Sequence, residues 1–191
     1  VLVIYPVKKL FMSDQLLNVA AYLPPSLVKT TLAAEAPLPP SEVQIHHLTG
    51  AVLYADVSGF TPLTEALGQK GSEGPEELTR LMNRYFGWMI AFIEAEGGEV
   101  VKFGGDSLTV VFHAAEEPLG HATRRAYQAA ETMRLAMDEF GTMQSSVGQV
   151  SLRMKFGIGA GALQWAQLGG LKSRWEYIIA GEALMQATLA E

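Results

Sequence analysis

Between Pro75 and Gly97, the residues Leu78, Leu81, Met82, Tyr85, Phe86, Met89, Ile90 and Ile93 recur at i, i+3, i+4 spacing. That is one apolar stripe along a long helix, and it needs a flat apolar partner to cover it. The runs on either side supply that partner. "TGAVLYADVS", Thr49 to Ser58, has the apolar character of a buried central strand, and "EVVKFGGDSLTVVFH", Glu99 to His113, reads as two short strands joined by a Gly-Gly-Asp turn. Thr61 is placed to cap a short intervening helix with Pro62 at its first position, and Pro75 opens the long one, which Gly97-Gly98 stops. A further helix from Leu119 to Phe140 follows from Leu119, Ala122, Ala126, Ala130, Met133, Met137 and Phe140. "QVSLRMKFGIGAG" then alternates, with Val150, Leu152, Met154, Phe156 and Ile158 on one face and Ser151, Arg153 and Lys155 on the other. A last strand, "WEYIIAG", leads through Gly181 into a C-terminal helix. The order predicts an α/β (α+β) domain: a mixed, mainly antiparallel sheet covered by helices on one side.

Upstream, the proline-rich "AAEAPLPPSEV", Ala33 to Val43, cannot continue a helix. It divides the chain into an N-terminal helical arm with its connector, residues 1–43, and a main domain, residues 44–191. The opening apolar run "VLVIYPVKKLF" is too short to span a bilayer, so no membrane partner is expected. A net charge of -6 argues against a nucleic-acid partner. The lack of cysteine excludes disulfides, thiolate metal sites and thiol catalysis, and fits a cytoplasmic setting. His46 and His47 are adjacent, and His113 and His121 lack i, i+4 spacing, so the histidines predict surface or core roles and no zinc site.

Chemistry concentrates on two acids. Asp56 ends the first strand and is followed, after Val57, by Ser58-Gly59-Phe60-Thr61, while Asp106 lies at the tip of the predicted hairpin or just beyond it. Carboxylates at two strand ends that can neighbour each other suit a hard, oxygen-seeking ion such as Mg²⁺, which is usually held by one or two acids plus substrate phosphates. Gly59 permits a tight turn, so that the N–H groups from Ser58 to Thr61, at a helix N-terminus, can face an anion. Either motif alone also occurs in ordinary turns, where Asp only bonds the backbone. No Gly-x-x-x-x-Gly-Lys-Ser/Thr is present, which removes a GTPase reading. A polymerase-type palm shares the two-acid logic but requires a basic template groove, which this acidic chain does not provide.

"ADVSGFTPLTE", a long helix, then "GGEVVKFGGDSLTVVF" resembles the catalytic domain of the class III nucleotidyl cyclases, in particular the first tandem domain of soluble-type, bicarbonate-responsive adenylyl cyclases. The resemblance runs from about Thr49 to the C-terminus. It implies a ferredoxin-like core and a head-to-tail pair of cyclase domains with active sites at their interface. It also implies ATP as substrate, cyclic AMP and pyrophosphate as products, and two Mg²⁺ or Mn²⁺ ions held by Asp56, Asp106 and the carbonyl of Val57. By the same resemblance Lys155 matches a cation against the terminal phosphates, and Lys102 the position that selects adenine.

The remaining family positions, which read adenine, orient the ribose and stabilise the transition state, fall on Ile178, Met185 and Thr188, and none can do that polar work. The expectation is therefore a half-domain, weak or inactive alone, that supplies metal ligands to a site completed by a second cyclase domain in tandem or in trans. The alternative is a catalytically silent nucleotide- or anion-binding regulatory domain. Bicarbonate, for which the resemblance offers Lys102 but no arginine at Thr188, is expected to act weakly or not at all.

Overall fold

The computed structural model describes residues 23–33, 43–171 and 174–191. Most of the predicted arm, and its connector from residue 34 to 42, lie outside the described residues. Helix α1, Pro25–Ala33, is the described part of the arm. Strand β1, Gln44–Ser58, is followed by helices α2, Phe60–Gly68, and α3, Glu73–Ala95. The hairpin is β2, Glu99–Gly104, and β3, Ser107–His113, and helix α4 spans Leu119–Phe140. A small second sheet, β4, Thr142–Ser145, and β5, Gly148–Ser151, precedes β6, Arg153–Leu171, β7, Arg174–Gly181, and helix α5, Glu182–Ala190.

The main sheet has the order β2-β3-β1-β6-β7, with β3 antiparallel to both β1 and β2. Leaving β7 aside, the βαββαβ strands stand second, third, first, fourth, which is the ferredoxin-like arrangement. The two sides of β1 serve two cores. Ala51, Leu53, Ala55 and Val57 face α2, α3 and α4, joined by Leu108, Val110 and Phe112 of β3. The α3 stripe is seated as its spacing predicts: Leu81, Tyr85, Met89 and Ile93 are buried. Tyr85 is lodged deeply enough that burial raises its phenol above the ordinary value, and its hydroxyl donates to Met137 Sδ at 3.3 Å.

Val52, Val111 and Leu163 face the other way and pack with Ala183 and Ala187 of α5. The main helical layer thus lies on one side, as expected, while α5 adds a smaller layer on the second face. Room for it comes from Gly157 and Gly159 of β6. A Cβ on Gly157 would sit 1.8 Å from the Ala187 carbonyl oxygen, and one on Gly159 would sit 2.0 Å from that of Ala183.

Three local expectations are corrected. The run Gln149 to Gly161 is not one strand: β5 ends at Ser151, Leu152 turns its N–H back to the Gly141 carbonyl at 2.7 Å, and β6 starts at Arg153. The alternation survives the break because Leu152 still reaches the core. Thr61 is not the cap of α2; Gly59 is, without a side-chain bond, and Pro62 falls third in the helix, where an N–H has no intrahelical partner to lose. Likewise α3 starts at Glu73 rather than Pro75, with Glu73 and Glu76 in its first turn. No helix among the described residues is long and apolar enough to cross a membrane.

Candidate functional site

The register of the sheet brings the two acids together. Asp56 pairs with Ser107, the residue after Asp106, and the Val57 N–H donates to the Asp106 carbonyl at 3.2 Å. Asp106 occupies a two-residue turn with Gly105, whose φ of +73° suits glycine. Asp56 alternates with Val52 and Tyr54, so its carboxylate is on the α5 face of the sheet, while the side chain of Val57 is anchored in the opposite core. Burial first, then the Asp106 and Glu191 carboxylates, push Asp56 above the ordinary carboxylate value, and Lys155 pulls it down. The structure thus gathers Asp56, Asp106, Lys155 and Glu191 into one electrostatic neighbourhood. Asp56 and Asp106, both half-buried, are hard-oxygen donors of the kind a divalent cation takes.

Beyond Ser58 the chain turns through Gly59 at φ +111°. A Cβ there would meet the Ser151 carbonyl oxygen at 2.8 Å, so backbone conformation and close packing both require glycine. Phe60 is the anchor of this turn: it is buried, edge-on to Tyr85 at 5.5 Å and stacked on Phe86 at 5.9 Å. Exposed Ser58 and Thr61 flank it at the start of α2, where backbone N–H groups lack helical partners.

Lys155 is exposed on β6, and its Nζ lies 3.4 Å from Glu191 Oε1 at the end of α5. Glu191 had no signal in the sequence, because a lone glutamate beyond a helix is indistinguishable from a solvated one. Lys102 pairs with Thr109, which pairs with Tyr54, so these three form a row on the Asp56 face; the row Gly104, Ser107, Asp56 lies further along. Ile178 is not brought to this group: Tyr177 and Ile179 pack on the second cluster, and Ile178 between them is exposed on the other side. Met185 and Thr188 lie exposed on α5, and the Thr188 hydroxyl donates to the carbonyls of Leu184 and Met185 in its own helix.

Three of the four histidines have other partners. His46 stacks on Trp165 with centroids 4.0 Å apart, His113 lies 3.0 Å from Glu99, and His121 lies 3.8 Å from Glu117. Among the described residues, no group of three or more histidine, aspartate or glutamate side chains is close enough to hold a metal, so any ion at Asp56 and Asp106 would draw further ligands from backbone, substrate or water.

Comparison with known proteins agrees with the fold. The rabbit (Oryctolagus cuniculus) protein adenylate cyclase type 10 is 24% identical over 178 residues, which cover 92% of this chain but 10% of that protein. The chain therefore spans about a tenth of that relative's length. The crystal structure of the adenylyl cyclase CyaB from P. aeruginosa superposes with a TM-score of 0.57 at 27% identity, covering 78% of this chain and 71% of that one. A bacterial light-regulated adenylyl cyclase shares the fold, with a TM-score of 0.64 at 22% identity over 100% of this chain and 51% of that one. The profile of the adenylate and guanylate cyclase catalytic domain matches residues 44–190, and the chain belongs to that family.

Proposed function

We propose that residues 44–191 are one half of an adenylyl cyclase, converting ATP to 3′,5′-cyclic AMP and pyrophosphate with a second cyclase domain in tandem or in trans. The observation that carries this reading is the pairing of Asp56 with Ser107, the residue after Asp106, which brings the two acids near enough for the Asp106 carboxylate to raise the pKa of Asp56. In the reaction the ATP 3′-hydroxyl gives up its proton to water, its oxygen bonds to the α-phosphorus, the bond from that phosphorus to the bridging oxygen breaks, and pyrophosphate leaves with the displaced electron pair. Asp56, Asp106 and the Val57 carbonyl would hold two Mg²⁺ or Mn²⁺ ions, which supply acidification of the hydroxyl and neutralisation of the triphosphate.

The chain's own groups bind and orient. N–H groups from Ser58 to Thr61, at the positive end of α2, receive a phosphate oxygen. Lys155 screens the terminal phosphates, and Lys102, on the same face as Asp56, selects adenine. Ile178, Met185 and Thr188 cannot contribute the adenine contact, the ribose contact or a cation for the transition state. Those must come from the partner domain, so the isolated chain is expected to be weak or inactive. The exposed apolar Ile178 and Met185 also favour a second reading, a silent nucleotide- or anion-binding regulatory domain.

Cyclic AMP formation from ATP separates the two readings. The chain alone should give little with Mg²⁺ or Mn²⁺, and mixing it with a complementary second cyclase domain should restore turnover. Robust turnover by the chain alone, persisting through further purification, would refute the half-site, and silence after complementation would favour the regulatory domain.

A further inference from the structure

Glu191 follows helix α5 and meets a cation from the sheet. Lys155 Nζ is 3.4 Å from Glu191 Oε1, and the Glu191 side chain is 22% exposed against 66% for Lys155. The acid is therefore the fixed partner and the lysine the reaching one. Gly157, two residues along β6 from Lys155, fixes the distance: a Cβ there would stand 2.8 Å from the Glu191 backbone nitrogen, so the helix end lies directly on the strand. No other acid is paired with Lys155 among the described residues.

From this geometry we infer that Glu191 is a positioning residue for Lys155, an internal counter-ion that the nucleotide's triphosphate must displace. The inference rests on the cyclase reading of the site and adds a control on nucleotide affinity. One ammonium cannot serve the carboxylate and the terminal phosphates at full strength together, so binding exchanges one ion pair for another. Without metal, the carboxylates of Asp56 and Asp106 oppose a bare triphosphate, which favours its magnesium complex.

The test is equilibrium binding of Mg·ATP to the chain paired with a complementary second cyclase domain, by calorimetry at low and high salt, using Glu191→Gln, Lys155→Met and the double variant. Glu191→Gln should bind Mg·ATP about two- to fivefold more tightly than wild type at low salt, the range of an exposed ion pair, and the gain should shrink at high salt. Lys155→Met should bind more weakly, and adding Glu191→Gln to it should change nothing further. Equal tightening in both backgrounds would overturn the inference, because the carboxylate would then act on the triphosphate directly. Weaker binding by Glu191→Gln would also overturn it and mark Glu191 as a support for the metal. If wild type binds Mg·ATP and Asp56→Asn does not, while Glu191→Gln leaves affinity unchanged, the inference alone falls. If wild type takes no Mg·ATP, the inference and the cyclase reading fall together.

Discussion

Replacing Gly157 by alanine should separate α5 from the sheet. The new carbon would stand 1.8 Å from the Ala187 carbonyl oxygen, in a structure where ordinary contact begins at 3.4 Å. The helix would have to retreat by about 1.6 Å, and because the opposing atom is backbone no rotamer change can absorb the clash. Retreat would also loosen Ala183 and Ala187 from Val52, Val111 and Leu163. Overpacking of this kind costs about 1–3 kcal/mol, and rigid backbone argues for the upper end. For a chain of this size 3 kcal/mol corresponds to a loss of roughly 6–12 °C in Tm. Gly87→Ala is the control: it lies exposed in α3 with open space around it, and should raise stability by about 0.5–1 kcal/mol. Thermal unfolding followed by circular dichroism reads both. A Gly157→Ala melting point indistinguishable from wild type would refute the seating of α5 on β6, and with it the position of Glu191.

Gly59→Ala should lose about 1–2 kcal/mol from its left-handed backbone alone, with more from pressure on the Ser151 carbonyl; urea denaturation measures it, and a loss no larger than that of an exposed-loop substitution would contradict the turn described. In chelator, Asp56→Asn should be at least as stable as wild type at neutral pH. The folded carboxyl is held above its ordinary value of 3.8, so its ionised form destabilises the fold as pH rises through the folded pKa, and the benefit of asparagine should vanish below that ordinary value. A melting-point gain that grew on acidification would have the wrong sign. Bicarbonate should stimulate the complete tandem enzyme weakly or not at all at fixed pH and ionic strength, and Thr188→Arg should raise its apparent affinity by roughly ten- to a hundredfold. A strong native response abolished by Lys102→Ala would show that one cation suffices.

The parts of the fold set by local pattern were legible: the α3 stripe, the hairpin with Asp106 at its tip, and the buried run ending at Asp56 each carry their own periodicity or turn chemistry. Once β1 and β3 are recognised as neighbours, the meeting of Asp56 and Asp106 needs only their register. What stayed hidden depends on long-range packing. Phe156-Gly157-Ile158-Gly159 reads as a strand, but only the approach of α5 shows why the second face is glycine. The β4–β5 hairpin was obscured because Val150 and Leu152 keep alternating across its end, although Ser146-Val147-Gly148 carried a turn signal. Its tip is tied down from elsewhere, with the Ser146 N–H donating to Glu77 at 2.8 Å and Lys70 to the Ser146 carbonyl at 2.7 Å. The helix starts shifted because proline is tolerated anywhere in a first turn, so it marks the turn without fixing the residue.

The central claim is that Asp56 and Asp106 together form the cation site of a cyclase, and it is tested most directly by measuring cyclic AMP formation in the complemented mixture while Mg²⁺ is varied. The account predicts that Asp56→Asn and Asp106→Asn each abolish turnover at every Mg²⁺ concentration while remaining folded by circular dichroism. Turnover and Mg²⁺ dependence unchanged from wild type in both folded variants would contradict it.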